Sequence, residues 1–560
     1  MRSFLIFLCL FTLIARVNSQ DSLRLEKIIE NFEQFIRESK DSQAHWPDYS
    51  VEAIDRRREA YSSFSSSLND IDKERLNSNQ IINYEMLSYI VEDRLFNLEF
   101  ESHLMPLNSE GGFITSIIYY LQSVRINDEK QLQSMTKKLE AFPVYIEQQK
   151  ALMRAGIKEG KIHSKLVVNN CLDIINDLLS KSEDSNLFSS AYIRNNIPPD
   201  YLLIEKCNNA LYSLSSFLNE EYLSAAFSEI GISKIKNGRA FYAQRVKYFT
   251  SLEMSPEEVF VTGLAEVERI HLEMLDLLDS LSYEGTLEDF IVFLREDDRF
   301  YADTREELLY YAAWLSKRAE AFLPRYFGKL PSLPFTVSPV PDAIAPSYTT
   351  GRYSGGSMQS GEPGKYLVNT YMLEARPLYL LPALTLHEAV PGHHLQGSLA
   401  REMNDLPSFR RYYLSAFGEG WGLYSEYLGK EAGYYEDLYQ EFGRLSYEMW
   451  RACRLVIDPA IHVMGWSRDE AVDYLARHTS LSMHEVNTEI DRYIGWPGQA
   501  VSYKIGELKI KELRRMAETG LADDFDIKSF HDLLLANGSV PLSTLERIVT
   551  EYINQIKGNG

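Results

Sequence analysis

The sequence predicts a mainly α protein with one small β-sheet, and three observations support this fold class. Residues 20 to about 250 hold long stretches whose apolar side chains recur at the helical period of about 3.6 residues, as in 72–101. Residues 333–371 are instead rich in Pro, Gly, Ser, Thr and Tyr, with β-type runs at 335–340 and 366–371. Helical patterns return from about residue 382.

The charge balance of the chain limits its partners. The 560 residues include 58 basic and 80 acidic side chains, which give a formal net charge of −22. A surface of this sign repels phosphate backbones and anionic lipids. We therefore expect neither nucleic acid nor an anionic membrane as a partner, whereas composition determines neither the substrate nor the oligomeric state.

Residues 1–19 are typical of a signal peptide. Arg2 supplies the charged start, residues 4–15 form an apolar run, and Val17 and Ser19 suit a cleavage site. The alternative is a membrane anchor, but this run is shorter than the roughly 20 residues that span a bilayer. Cleavage near Ser19 would release a secreted or extracytoplasmic chain. No later segment reaches 18 unbroken apolar residues, so the mature chain is expected to lack a membrane span.

The mature chain divides into two predicted regions. Residues 20–250 form an N-terminal helical region that we expect to build one wall of a cleft. Residues 251–560 form the catalytic region, which starts with a helix capped by Ser255, Pro256 and Glu258. Cys171 and Cys207 either form one disulfide or remain free thiols, since their spacing does not decide between these states.

A histidine-rich stretch, His387 to His394, lies at the centre of the catalytic region. The pair His387-Glu388 opens like the H-E-x-x-H pattern, in which histidines at i and i+4 bind one zinc and the glutamate is the general base. Here position i+4 is Pro391, and on an unbroken helix His393 would point about 120° away from His387. Pro391 and the following glycine permit a bulge that brings His387 and His393 together. His394 is the reserve choice for the second ligand.

The predicted third ligand is Glu419, which follows His393 by 26 residues and so has room for a turn at 404–408 and a return helix. Glu426 lies seven residues later on the same helix face and could orient a ligand histidine. Three glycines at 418, 420 and 422 lower helix stability, which suggests a close approach of the two metal helices, about 382–429. We therefore expect Zn²⁺ bound by His387, His393 and Glu419, against the alternative of a purely structural cluster.

These residues resemble a widespread family that is labelled a domain of unknown function and grouped with the gluzincin metallopeptidases. Its signature, H-E-x-x-P-G-H-H-x-Q, matches the stretch from His387 to Gln396. Further resemblances lie at 419–421, 492–506 and 525–542. The resemblance implies a helical zinc-peptidase-like fold with the small sheet beside the active-site cleft.

The predicted activity is that of a secreted zinc metallohydrolase, with a peptide or a small amide as substrate. Glu388 would take a proton from the zinc-bound water and pass it to the leaving amine. Tyr503 and His394 would stabilise the oxyanion. Arg492 would bind a substrate carboxylate, which favours carboxypeptidase or dipeptidase action. Tyr503 and Arg492 could equally be structural partners.

Three alternatives stay open at this point. The site could hydrolyse a non-peptide amide or ester, or the chain could be a secreted binding protein that does not catalyse. Residues 364–370 are the candidate edge strand for substrate backbone binding, and an ordinary hairpin is the other interpretation. The sequence does not predict which side chain or end of a peptide is preferred.

Overall fold

The structure is a computed structural model that describes residues 2–41, 46–342, 345, 348–403 and 406–559. The side chains of 2–19, 40–41 and 559 lie outside this description, and so do most of the predicted leader and part of the turn predicted at 404–408. The chain divides into two compact units. One comprises residues 1–241 with 489–497, and the other comprises 242–488 with 498–560.

The N-terminal half is helical, and short 3-10 and π turns connect its helices. The helices are α1 (Arg2–Asp41), α2 (Val51–Asn69), α3 (Ser78–Glu99), α4 (Phe113–Ser123), α5 (Glu129–Glu140), α6 (Phe142–Glu159), α7 (Lys165–Ser180), α8 (Leu187–Arg194), α9 (Tyr201–Phe217), α10 (Leu223–Ala225) and α11 (Gly238–Thr250).

An aromatic cluster lies in the core of the first unit. Trp46 stacks on Tyr145 at 5.2 Å between ring centroids, and its indole nitrogen donates a hydrogen bond to the Lys138 carbonyl at 2.8 Å. Cys171 and Cys207 are buried free thiols, so of the two predicted states the structure has the unbridged one. Among the described residues, no helix combines the length and apolar character that crossing a bilayer requires.

The C-terminal half is also helical around one small sheet. Its helices are α12 (Pro256–Ser280), α13 (Leu287–Glu296), α14 (Arg305–Tyr326), α15 (Leu381–Glu388), α16 (His393–Glu402), α17 (Ser415–Glu431), α18 (Leu438–Pro459), α19 (Arg468–His478), α20 (Met483–Gly495), α21 (Ser502–Leu521), α22 (Ile527–Leu535) and α23 (Leu542–Asn559).

Local capping explains where the first helix of the second unit begins. The Ser255 hydroxyl accepts a hydrogen bond from the Glu258 backbone N–H, and the Glu258 carboxylate bonds back to Ser255, with Pro256 in the first turn. This reciprocal pair satisfies two backbone donors that a helix start leaves open. The predicted start of α12 is therefore confirmed.

The sheet has three strands, β1 (Phe335–Pro339), β2 (Gly351–Ser354) and β3 (Gly364–Val368). Their order is β1-β3-β2, with β1 parallel and β2 antiparallel to β3. The mainly α fold with a small sheet is thus confirmed. The sequence pattern missed β2, because four residues with a glycine and two polar side chains give no strand signal.

Candidate metal centre

The helix that carries the histidines breaks between Glu388 and His393. The Gly392 N–H donates to the Leu386 carbonyl at 2.9 Å, and the His394 N–H donates to the Ala389 carbonyl at 3.0 Å. These bonds reach back six and five residues instead of the four of an α-helix, so the backbone takes up extra residues. The predicted bulge is present, and it divides the segment into α15 and α16.

A buried tryptophan on the neighbouring helix supports this break. Trp421 on α17 donates from its indole nitrogen to the Pro391 carbonyl at 2.8 Å, and the Gln396 amide donates to the Phe417 carbonyl at 3.4 Å. The carbonyl of Pro391 would otherwise have no helical partner, because the break removes it from the α-helical ladder. The Trp of the 419–421 motif therefore fixes the geometry of the histidine segment.

The break brings the three predicted metal ligands together. The Nε2 atoms of His387 and His393 lie 3.4 Å and 3.5 Å from Oε2 of Glu419, and one ligand atom from each residue falls within 4.8 Å of the others. Two ligands that are about 2.0–2.1 Å from a tetrahedral ion lie roughly 3.4 Å apart. These three residues therefore fit a single zinc ion by donor chemistry and by spacing.

Two carboxylates of α17 hold the His387 ring, one at each ring nitrogen. Its Nδ1 lies 2.7 Å from Oε1 of Glu426, which leaves Nε2 for the centre, as the seven-residue spacing from Glu419 predicts. A Cβ on Gly422 would lie 2.6 Å from Nε2 of His387, so only glycine leaves room for the ring there. The Arg451 guanidinium lies 4.0 Å from the same oxygen of Glu426.

Carboxylates dominate the electrostatics of the centre. Burial alone would lower the pKa of His387, but hydrogen bonds to Glu419 and Glu426 and the charge of Glu388 raise it to about 9. Burial would likewise raise the pKa of Glu419, but His393 and His387 outweigh this effect and hold it well below its usual value. A cluster that stabilises added positive charge in this way suits a cation.

Glu388, the predicted general base, lies beside the sheet. It is 8 % exposed, and its Oε2 accepts a hydrogen bond of 2.7 Å from the Tyr353 backbone N–H on β2. The N–H of Tyr353 therefore points away from β3 toward Glu388. The predicted edge strand, 364–370, is wrong, because it contains β3, which pairs on both sides. β2 is an outer strand, and its outer edge passes Glu388.

The His394 side chain points to the sheet, and His394 is not one of the three clustered ligand residues. Its Nδ1 lies 3.2 Å from the Tyr353 hydroxyl and 3.3 Å from Oγ of Ser398, and its ring packs on Phe335. Burial lowers the pKa of His394 to about 4. The neutral ring therefore connects α16 to Tyr353 on β2 and Phe335 on β1, and not to Glu419.

The two remaining predicted site residues have structural neighbours. The Arg454 guanidinium lies 4.3 Å from the centre of the Tyr503 ring, and the two residues belong to the same unit as the histidines. Arg492 belongs to the other unit and pairs with Glu489 at 3.0 Å. The roles of Tyr503 at an oxyanion and of Arg492 at a carboxylate stay predictions.

Tyr413 is a further residue of the centre that the sequence pattern does not predict. Its hydroxyl donates a hydrogen bond of 2.7 Å to Oε1 of Glu419, the oxygen that does not face the histidines, while its side chain is 52 % exposed. This bond fixes the carboxylate so that Oε2 faces the centre. The residue lies in a short connection before α17, where helical spacing carries no information about its direction.

The comparisons with known proteins agree with this picture of the fold. A family described as "Bacterial protein of unknown function (DUF885)" matches residues 35–549. The chain belongs to this family. No curated protein matches the chain.

Two solved structures are similar over almost their whole length. One, described as a "putative lipoprotein" from Colwellia psychrerythraea, is 29 % identical with a TM-score of 0.85, over 96 % of this chain and 99 % of that chain. The other, a "putative lipoprotein of unknown function" from Shewanella oneidensis, is 16 % identical with a TM-score of 0.70, over 96 % and 99 %. The second likeness concerns the fold alone.

Proposed function

We propose that this DUF885 member is a zinc-dependent hydrolase of the gluzincin type that cleaves peptides. One observation carries the proposal: His387, His393 and Glu419 converge at the spacing of a tetrahedral zinc site, next to a buried glutamate. A purely structural cluster has no need for Glu388 in this position. The H-E-x-x-P-G-H-H-x-Q resemblance adds support from the sequence.

Each side chain has a defined task in this proposal. His387, His393 and Glu419 would hold the ion, which when bound acidifies water and polarises a carbonyl group. Glu388 accepts the proton of the attacking water and delivers it to the leaving amine. The Tyr353 N–H keeps the Glu388 carboxylate turned toward the edge of β2, so its proton acceptor has a fixed position.

The outer edge of β2, where the Tyr353 N–H already bonds to Glu388, favours a peptide over other amides. An extended peptide can pair with an outer strand through backbone hydrogen bonds, and β2 offers such an edge beside the general base. A peptide that lies along Gly351–Ser354 would present successive carbonyl groups to the region of Glu388. Small amides and esters have no backbone for this pairing, so poor turnover of them is expected.

The test combines metal content with one variant. Elemental analysis of the purified chain should give about one zinc per chain, as for a mononuclear site. Glu388→Gln should lower kcat on a responsive peptide by roughly 10²- to 10⁴-fold, the usual contribution of a general base, with zinc content unchanged. A chain that binds no zinc, or whose peptide cleavage survives this substitution, would refute the proposal.

Export is part of the proposal. The leader-like residues 1–19 support it, and so does the description of the similar structure from Colwellia psychrerythraea, which names a putative lipoprotein. Expression with the native N-terminus, followed by mass spectrometry of the extracytoplasmic product, should give a chain that starts at Gln20. A chain that keeps residues 1–19 would contradict cleavage near Ser19.

A further inference from the structure

We infer that a cavity beside α15 binds the C-terminal residue of the substrate, with Arg376 holding its free carboxylate. This inference rests on the proposed peptidase function and names its substrate class, peptides with a free C-terminus and a large apolar last residue. Arg492, the residue predicted for this task, belongs to the other unit and is paired with Glu489.

The cavity lies along the same helix face as the general base. It has a volume of about 230 Å³, and Leu381 and Leu384 of α15 form part of its wall. Leu384 precedes Glu388 by four residues, so the two side chains share a face and are separated by roughly 6 Å along the axis. One or two residues of an extended peptide, at about 3.3 Å each, cover this distance.

The edge strand leads to the same cavity. Thr350, which directly precedes β2, lines the cavity, and Tyr353, three residues later, contacts Glu388. A peptide on the outer edge of β2 would therefore run from Glu388 toward the Thr350 end of the strand, where the cavity lies. The volume is below the roughly 300–1,000 Å³ of pockets for larger ligands, so it suits a single residue.

Arg376 provides a cation that is held in place but incompletely neutralised. Its Nε donates to the Tyr371 carbonyl at 3.3 Å and its Nη1 to the Thr350 hydroxyl at 3.2 Å. Among the described residues, Nη2 has no hydrogen-bond partner. The side chain is 11 % exposed, and the Glu485 carboxylate is 3.7 Å from Nη1. A partly buried guanidinium with an available N–H is suited to a carboxylate.

Glu485 faces Arg376 through Oε1, but at 3.7 Å it makes no hydrogen bond to the guanidinium. Its Oε2 accepts hydrogen bonds from the backbone and hydroxyl of Ser482 at 3.2 Å and 3.1 Å. The other cavity arginine, Arg295, donates to the carbonyls of residues 479–481. Nη1 of Arg295 also remains available within the described part of the chain, but Arg295 is exposed, so Arg376 is the more buried of the two cavity arginines with an N–H left for a ligand.

The rest of the wall selects for an apolar side chain. Tyr447 and Trp450 of α18 line the cavity together with Leu381 and Leu384. Aromatic and aliphatic walls favour a large apolar group through burial of its surface. A phenylalanine-like or leucine-like last residue should bind better than alanine.

The test uses three small probes and calorimetry on the full chain, with and without a metal chelator. N-acetyl-phenylalanine should bind at least about tenfold more tightly than its amide, because only the acid offers a carboxylate to Arg376. N-acetyl-alanine should bind more weakly than the phenylalanine probe. The preference for the acid should persist with the chelator, since it depends on Arg376.

Four variants locate the effect. Arg376→Gln should abolish the acid-over-amide preference, and Glu485→Gln should increase it because a competing carboxylate is removed. Ala375→Phe, which fills the cavity from its wall, should weaken both phenylalanine probes. Arg305→Gln is the matched control, since this exposed arginine pairs with Asp342 at 2.9 Å and should leave the preference unchanged.

Equal binding of acid and amide, loss of the preference with the chelator, or a preference that survives Arg376→Gln would each overturn the inference. Its failure is distinguishable from failure of the proposed function. Zinc binding and cleavage that depends on Glu388, without an acid preference, would refute the cavity assignment alone. An acid preference in a chain without zinc or cleavage would refute the peptidase proposal alone.

Discussion

Two buried charge clusters in the same unit differ in how their charges are balanced. The lysine network joins α18 and α21: Lys504 Nζ lies 2.6 Å from Glu448 and 2.5 Å from Glu507, and Arg444 lies 2.6 Å from Glu448. These four residues are at most 4 % exposed and carry two charges of each sign. Burial would raise the pKa of Glu448, but Lys504 and Arg444 hold it well below its usual value.

The histidine cluster, formed by His387, His393, Glu388, Glu419 and Glu426, is not balanced. Three carboxylates face two imidazoles, and the nearest guanidinium is 4.0 Å from Glu426. A buried carboxylate without a matching cation is costly, so this arrangement favours an added positive charge, either a proton on His387 or a bound cation. The comparison teaches that buried charge alone does not indicate a site, whereas a convergent excess of one sign does.

The largest expected effect separates the ligand from its neighbour. His393→Ala should reduce the zinc content from about one ion per chain to a small fraction of that, because two donors hold zinc far more weakly than three. His394→Ala is the matched control, since this ring faces Tyr353 and Ser398 and should keep the zinc. Elemental analysis after gel filtration checks both. If His394→Ala lost zinc and His393→Ala kept it, His394 would be the ligand and the assignment of His393 to the cluster would be wrong.

The second effect tests the balanced network. Lys504→Met should destabilise the fold by about 3–5 kcal/mol, because it leaves Glu448 and Glu507 buried with less positive charge. Urea unfolding measures this change, and zinc per folded chain should remain the same. Lys509→Met is the control: this lysine on the same helix pairs with Glu512 and Glu546, whose carboxylates are both exposed, and the change should cost about 1 kcal/mol or less.

If Lys504→Met removed zinc at unchanged stability, the two clusters would be one functional site and the comparison would fail. If both lysine variants lowered the free energy of unfolding equally, loss of a buried lysine partner would cost no more than loss of a lysine that pairs with exposed carboxylates. Either result would change which cluster is interpreted as structural.

The two clusters also differ in how far the sequence predicts them. The histidine cluster was accessible because its residue types are rare and closely spaced, and because Pro391 and Gly392 mark where the helix must break. Helix starts such as Ser255 are also predictable, because their capping residues lie within a few positions of one another in the sequence. The lysine network was not, since Glu448 and Lys504 are separated by 56 residues and depend on how α18 and α21 pack.

Contacts that depend on side-chain direction were also beyond sequence reasoning. The sequence predicts that the glycines at 418, 420 and 422 serve one close approach of the metal helices. A Cβ on Gly422 would indeed meet His387, but one on Gly420 would lie 2.6 Å from Cα of Gly506 on α21. Likewise β3 has the stronger strand pattern, yet the weaker β2 is the outer strand beside Glu388.

A third expected effect contrasts two buried histidines. His531 donates from Nδ1 to the Tyr326 carbonyl at 2.9 Å and accepts at Nε2 from the Tyr424 hydroxyl at 2.8 Å. Burial lowers its pKa to about 3, whereas carboxylates raise the pKa of His387 to about 9. Below about pH 6.5 the unfolded chain protonates His531, whereas in the folded chain His531 stays neutral down to about pH 3. The free energy of unfolding therefore decreases as the pH falls through this range.

His531→Gln should therefore be less stable than wild type at pH 7.5, and the gap should narrow by about 2 kcal/mol at pH 5. Urea midpoints at the two pH values, measured with a chelator present, give the difference. The same substitution at the exposed His484 is the control. A gap that stays constant with pH would show that His531 does not remain neutral in the fold.

The smallest expected effect concerns Tyr413, which links the histidine cluster to solvent. Tyr413→Phe removes the donor to Oε1 of Glu419, so the carboxylate can turn and zinc affinity should fall about tenfold, as for other partners of metal ligands. Competition with a chelator measures this affinity. Fold stability should change little, because Tyr413 is 52 % exposed.

Tyr412→Phe is the matched control, since the hydroxyl of Tyr412 lies 2.6 Å from the Tyr248 hydroxyl. It should leave zinc affinity unchanged. If both variants bind zinc as tightly as wild type, Glu419 is oriented without Tyr413, and the imbalance of carboxylates is sufficient by itself to hold the ion. A tenfold loss confined to Tyr413→Phe would instead show that the cluster needs an oriented ligand as well as an excess of negative charge.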